Sequence, residues 1–73
     1  MLIRVYDLNL SAWGMLNMAH VAWARVVKDH HIHVDGEPLY PLETQDVNGG
    51  DFGKLYVEGR TAMRLDRMAE GER

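Results

Sequence analysis

Apolar residues recur at helical spacing between Ser11 and Asp29, SAWGMLNMAHVAWARVVKD, the longest patterned stretch of the chain. At about 100° per residue, the apolar positions fill roughly half of a helix circumference, more than a one-sided surface helix needs. Ser11 is a suitable N-cap residue, because its hydroxyl can accept a hydrogen bond from a free amide of the first turn. The pattern therefore predicts one long helix whose surplus apolar surface is covered by the sheet and loops, with a partner surface that includes Met18 and Val21 as the alternative.

Three further regions have strand-like patterns. Met1 to Tyr6 is rich in branched and aromatic side chains and predicts a first strand, and Lys54 to Glu58 predicts a last one. Asp35-Gly36 is a preferred pair for a two-residue turn, and it is flanked by strand-like arms over His31–Val34 and Glu37–Leu42. These signals predict a hairpin after the helix.

The second arm of this hairpin contains Pro38 and Pro41, which cannot donate ladder hydrogen bonds, so the arm is predicted to be an edge strand. A loop over Glu43–Gly53, rich in Asn, Asp and Gly, follows it. Phe52 is the one aromatic residue in this loop, and two alternatives stay open for it. Its ring either folds back onto the core or anchors a partner.

Together these elements predict an α+β fold, with one long helix packed on a small sheet of three to four short strands, in the order strand-helix-hairpin-strand. The predicted domain spans residues 1–59. Residues 60–73 contain Met63, Leu65 and Met68, which offer too little apolar area to hold an isolated helix. This segment is predicted to be a flexible C-terminal tail, with folding on a partner as the alternative.

The chain has 73 residues, a net charge of −3 and no cysteine. This length suits one small domain, and the lack of cysteine excludes a disulfide or a thiolate zinc site within it. The start has no basic segment followed by a long apolar one, so no secretory signal is predicted. Polar residues interrupt the predicted helix, so no membrane span is predicted either. These features favour a cytoplasmic protein.

The charges are distributed unevenly along the chain. From Asp29 through Gly53 there are six acidic residues and no lysine or arginine. Phosphate would repel such a segment, which argues against autonomous nucleic-acid binding, whereas a basic protein surface would attract it. An ordinary solvated loop is the alternative explanation.

Three histidines, His30, His31 and His33, form the one metal-like cluster of the sequence. His31 and His33 would share one side of a strand, but a zinc site needs three or four ligands. The residues that would have to complete such a site are Asp35, Glu37 or His20. No metal or other cofactor is predicted, and a metal-binding module remains an alternative hypothesis.

The sequence contains no recognisable catalytic motif. Ser11 is the only serine, and a helix cap explains it better than a nucleophile does. Neither Gly49-Gly50 nor Gly53-Lys54 fits a phosphate-binding loop, because no hydroxyl residue follows the lysine. The acidic residues form no pair on one rigid element that would suit acid–base chemistry. The chain is therefore predicted not to be an enzyme.

In its length, its MLIRVYDLNL start and its acidic middle segment, the chain resembles the small RNA-polymerase-binding regulators made by bacteriophages of Xanthomonas. The resemblance implies a non-catalytic protein that binds host RNA polymerase at the β′ amino terminus, near the RNA exit channel. It also implies inhibition of transcription initiation and suppression of termination. Small anti-CRISPR proteins are similar in the same general way, so inhibition of another nucleic-acid machine by acidic mimicry is a second hypothesis.

An interface of this kind is centred on a few aromatic and aliphatic anchors. The predicted partner-binding residues are Leu2, Val5, Tyr6, Leu8, Leu10, Phe52, Tyr40, Asp46 and Asp51. Arg60 and Arg64 of the tail are predicted to lie near nucleic acid once the protein has docked. Because the predicted helix has surplus apolar surface, a homodimer is an alternative to a host interface.

Overall fold

Six strands and one α-helix occupy residues 1–71, the part of the chain that this computed structural model describes, with side chains described as far as Met68. The elements are β1 (Leu2–Asp7), β2 (Ala12–Asn17), β3 (Val21–Val26), β4 (Ile32–Val34), β5 (Glu37–Asp46), β6 (Leu55–Glu58) and α1 (Gly59–Gly71). Short 3₁₀ turns at Met18–His20 and Lys28–His30 precede β3 and β4.

The described strands form one antiparallel sheet in the order β2-β1-β6-β5-β3. β5 is the longest strand and is paired on both sides. Leu39 lies opposite Ile32 of β4 and Glu58 of β6, whereas Leu42 lies opposite Val26 of β3 and Leu55 of β6. β3 and β4 therefore follow one another along the same side of β5, and β2 forms the opposite edge of the sheet.

α1 lies across one side of the sheet and packs on β3, β5 and β6. Thr61 and Ala62 of its first turns are buried, and Leu65 packs against the core beside them. The buried sheet residues of this core are Ile3, Val5, Leu16, Leu42, Leu55 and Val57. Because side chains alternate along a strand, the residues between these lie on the opposite side of the sheet.

The predicted helix over Ser11–Asp29 is wrong, and with it the predicted architecture of one long helix on a small sheet of three to four strands. The segment forms β2, a 3₁₀ turn and β3, and Ser11 has a φ of 50° in the turn before β2. The apolar pattern misled because both sides of β2 carry apolar side chains. Leu16 is buried, and Trp13 and Met15 lie on the other side. A segment of this kind lacks a clean two-residue alternation, so pairing with β1 decides its structure.

The predicted hairpin around Asp35-Gly36 is confirmed, because β4 and β5 pair directly across it. Both turn residues have positive φ, 52° at Asp35 and 84° at Gly36. This is the backbone geometry of a two-residue turn whose twist matches that of its strands. The predicted first and last strands are also observed, as β1 and β6.

We expect the Gly36→Ala substitution to lower the free energy of unfolding by about 1 kcal/mol, because a side chain is strained at this positive φ. Gly14→Ala in β2 is the matched control. A Cβ at either position would meet nothing within 4 Å, and φ at Gly14 is not positive, so the two sites differ in backbone strain and not in crowding. Urea unfolding followed by circular dichroism measures both variants. An equal loss of stability in the two would contradict the turn assignment.

The prediction that the second hairpin arm is an edge strand is wrong, since β5 is paired on both sides. At each proline, however, β5 is paired with a strand on one side only. Pro38 lies outside the pairing with β6, which involves Leu39–Leu42. Pro41 lies between the parts of β5 that pair with β4 and β3, and its carbonyl accepts a hydrogen bond from the Val27 N–H at 2.9 Å. The missing N–H groups therefore cost no ladder bonds.

The segment predicted as a flexible tail, residues 60–73, contains α1 up to Gly71, while residues 72 and 73 lie outside the described part of the chain. Packing of Ala62 and Leu65 on the sheet supplies the apolar contact that an isolated helix of this length lacks. An ion pair between Lys28 and Asp66 also links the helix to the turn before β4. Within residues 1–71, no helix combines the length and the apolar content needed to cross a bilayer.

Candidate partner-binding face

The side of the sheet opposite α1 is called the open face here. Ile3 and Val5 of β1 are buried toward α1. Because side chains alternate along a strand, Leu2, Arg4 and Tyr6 project to the open face. β1 therefore contributes an aliphatic, a cationic and an aromatic side chain to this face.

β2 adds two large side chains to the same face. Directly opposed residues of an antiparallel pair share a side of the sheet, and Arg4 lies opposite Met15 while Tyr6 lies opposite Trp13. Leu2, Arg4, Tyr6, Trp13 and Met15 together form what we call the hairpin patch. Leu2 and Met15 are each 59% exposed, so the patch presents apolar surface to solvent.

The centre of the hairpin patch is held by ring contacts. The guanidinium carbon of Arg4 lies 3.9 Å from the ring centroid of Trp13, close enough for a cation–π interaction. The rings of Tyr6 and Trp13 meet edge to face, with centroids 5.3 Å apart and an interplanar angle of 69°. Arg4 also lies 3.8 Å from the carboxylate of Glu58. Side chains ordered in this way lose less entropy when a partner binds.

The other end of the open face is more polar. Trp23 of β3 is 49% exposed, and its ring N–H donates to the side-chain oxygen of Gln45 at 2.9 Å. Arg25 donates to the carboxylate of Glu43 across the β3–β5 pair. A shallow groove of about 380 Å³ runs between Trp23 and Tyr56. The side chains of Gln45, Arg25 and Glu43 are thus already engaged within the chain.

The predicted anchors fall into two places. Leu2 and Tyr6 lie on the hairpin patch, while Leu8 and Leu10 lie beside it in the turn between β1 and β2. Leu10 is 74% exposed, and the Leu8 N–H donates to the Lys54 carbonyl, which ties the turn to the segment before β6. Leu2 and the turn residues Leu8 and Leu10 therefore lie at opposite ends of β1.

The other predicted anchors lie elsewhere in the fold. Val5 is buried in the core at 5% exposure, so it supports the hairpin from inside. Phe52 is half-buried and packs against the core, as the first of its two alternatives predicts, and it also lines a groove of about 250 Å³ with Leu10. Tyr40 is half-buried on the α1 side, where its ring lies 5.8 Å from that of His31.

The predicted acidic contacts organise the loop between β5 and β6. The Asp46 carboxylate accepts a hydrogen bond from the Asn48 N–H at 2.6 Å, and the Asp51 carboxylate accepts one from the Gly53 N–H. Arg60 and Arg64 lie in α1, and Arg64 contacts the sulfur of Met1 at 3.4 Å. Among the described side chains, no ion pair joins Asp46 or Asp51 to Arg60 or Arg64.

The histidines of the hairpin lie on the α1 side of the sheet. The rings of His31 and His33 meet at a centroid distance of 5.2 Å, and His31 also contacts Tyr40. Among the residues that the structure describes, no three His, Cys, Asp or Glu side chains converge on a common point where an ion could be held. The two rings therefore pack on each other and on an aromatic neighbour.

Three members of the hairpin patch were not among the predicted site residues: Arg4, Trp13 and Met15. Trp13 and Met15 were missed because they lie in the segment that the apolar pattern predicts to be helical. A spacing of two between Trp13, Met15 and Asn17 was the available signal for a strand, but the apolar residues between them obscured it. Arg4 had no signal apart from its place in β1.

No protein-family model, no curated protein and no solved structure matches the chain.

Proposed function

We propose that this chain is a non-catalytic regulator that binds bacterial RNA polymerase through the hairpin patch and thereby inhibits initiation and suppresses termination. The main support for a binding role is the residue composition of this patch and the ring contacts that hold its side chains in place. Tryptophan, tyrosine and arginine are the residues most enriched among interface hot spots. Here Trp13 contacts both Tyr6 and Arg4 on a solvent-facing strand pair.

Exposed apolar residues around this centre support the same role. Leu2 and Met15 are large, and each is 59% exposed. A cluster of such side chains on one side of a small domain is typical of a protein-interaction surface. In protein interfaces, aromatic anchors are typically surrounded by contacts that exclude water.

The choice of polymerase as partner depends on the resemblance to phage-encoded polymerase-binding regulators. The distribution of charge is consistent with it, because the segment from Asp29 through Gly53 contains six acidic residues and no lysine or arginine. A negative segment of this kind is attracted to the basic surfaces that polymerase uses to hold nucleic acid. The patch then supplies affinity, and the acidic segment supplies orientation and a faster association rate.

The proposal is tested by titrating the fluorescently labelled protein with purified bacterial core RNA polymerase at low and high salt. We expect saturable one-to-one binding at both salt concentrations, because apolar anchors are not screened by salt. In transcription assays with the same enzyme, we expect less promoter-initiated product and more read-through at a terminator. Absence of binding at both salt concentrations would overturn the proposal. Binding that disappears at high salt would favour acidic mimicry instead.

A further inference from the structure

β2 is an edge strand with outward-facing backbone groups. The Met18 N–H donates to the Met1 carbonyl at 2.9 Å, which sets the alternation of the β1–β2 ladder. The backbone groups of residues 12, 14 and 16 face β1, so those of Trp13, Met15 and Asn17 face away from the sheet. Within residues 1–71, no strand pairs with this outer side of β2.

This edge lacks the features that normally protect an edge strand. Natural edges are blunted by charged side chains, proline, bulges or short length. The opposite edge of this sheet has such features, since β3 has a register shift next to Val21 and carries Arg25, and β4 has three residues. β2 has six residues in regular register. No Asp, Glu, Lys or Arg occurs between Asp7 and Arg25.

We propose that β2 pairs with β2 of a second copy of this chain, antiparallel about a two-fold axis at Gly14, so that two sheets join into one. This goes beyond the function proposed above, because it concerns the strand edge and needs no polymerase. The pleat restricts the register, since only residues on the same side of the sheet can lie opposite one another. An axis at Gly14 meets this condition.

The register also matches the side chains of the two copies. Trp13 of each copy lies opposite Met15 of the other on the open face, where a thioether against an aromatic ring is favourable. These are also the residues with outward-facing backbone groups, so each Trp13–Met15 pair exchanges two hydrogen bonds. An axis at Met15 would instead place Trp13 opposite Asn17, which offers the ring a poorer contact.

A second copy fits this edge better than an unrelated strand does, because the edge is self-complementary. Each chain has a net charge of −3, yet the charged residues lie outside residues 8–24. Pairing at β2 therefore brings no like charges directly opposite one another, an arrangement that would be destabilising. The two glycines at the axis also carry no side chains that could clash.

The first test is sedimentation equilibrium of the isolated protein over a wide range of concentration. We expect the weight-average mass to rise to twice that of one chain. Met15→Pro removes an outward-facing N–H from an edge strand, where proline is tolerated, so we expect this variant to stay monomeric and folded by circular dichroism. A wild-type chain that is monomeric throughout would overturn the proposal. So would self-association that Met15→Pro leaves unchanged, because a different surface would then be responsible.

The second test locates the axis in a chain that contains no cysteine. Gly14→Cys would place two thiols on residues about 4.5 Å apart between Cα atoms, a separation that suits a disulfide. We expect rapid covalent dimer formation in a glutathione buffer. Leu2→Cys is the control, since Leu2 is 59% exposed on the neighbouring strand but remote from the axis. Equal crosslinking of both variants, or preferential crosslinking of Met15→Cys, would overturn the assigned register.

Discussion

Replacement of Leu42 by alanine is expected to lower the free energy of unfolding by about 3 kcal/mol, the middle of the range for a buried leucine. Leu42 is 3% exposed and lies at the centre of the core, opposite Val26 on one side and Leu55 on the other. The cavity left there removes apolar contacts that Leu42 makes within the core between the sheet and α1. Small domains have a total stability of roughly 5 kcal/mol, so the variant should retain less than half of it.

Thermal unfolding followed by circular dichroism measures this loss, and we expect the midpoint to fall by roughly 15 °C in a domain of this size. Leu10→Ala is the matched control, because it makes the same chemical change at a side chain that is 74% exposed. It should leave the midpoint nearly unchanged. If the two variants lost equal stability, the position of the core between α1 and β5 would be wrong.

Replacement of Trp13 by alanine is expected to weaken binding to RNA polymerase by about 30-fold, which corresponds to roughly 2 kcal/mol for a hot-spot residue. The substitution removes the ring that Tyr6 and Arg4 both contact, so it disrupts the whole centre of the hairpin patch. Trp13 is half-buried and outside the core cluster, and the fold should persist. The labelled-protein titration with core polymerase measures the loss.

The titration should be run below the concentration at which sedimentation detects a dimer, because Trp13 also lies on the β2 edge. Trp23→Ala is the control, since Trp23 is the other tryptophan and lies on the open face at the opposite edge of the sheet. Its loss should change the affinity by less than about threefold. A larger effect for Trp23 than for Trp13 would place the partner on the β3–β5 end of the face.

The hairpin patch and the β2 edge can operate together. Pairing at β2 uses backbone groups in the plane of the sheet, whereas a partner on the patch contacts side chains above it. A two-fold axis perpendicular to the sheet would put both open faces on the same side. A dimer would thus present two hairpin patches next to each other, with Trp13 and Met15 of each copy at the junction.

Local chemistry made parts of this fold predictable. The turn at Asp35-Gly36 depends on φ preferences of two adjacent residues, and the structure has positive φ at both. β1 and β6 were predictable because their branched and aromatic residues favour strands whatever their partners are. The same kind of reasoning suggested one alternative for Phe52 that the structure adopts, its packing against the core.

Long-range pairing decided what local patterns could not. Trp23 pairs with Gln45, 22 residues further along the chain, and no local preference reports such a contact. Long-range pairing also decided the place of β5. Its prolines suggested an edge strand, but each proline lies beside the end of a neighbouring strand, so β5 is paired on both sides.

By itself, therefore, the sequence determined the turn at Asp35-Gly36, the strands β1 and β6 and the uneven charge, all of which depend on neighbouring residues or composition. The tertiary structure alone decided that residues 11–29 form strands, that α1 packs on the sheet and that Arg4, Tyr6 and Trp13 share one face. The physical reason is that an apolar segment takes the secondary structure that buries it best, and burial depends on partners far away in the chain.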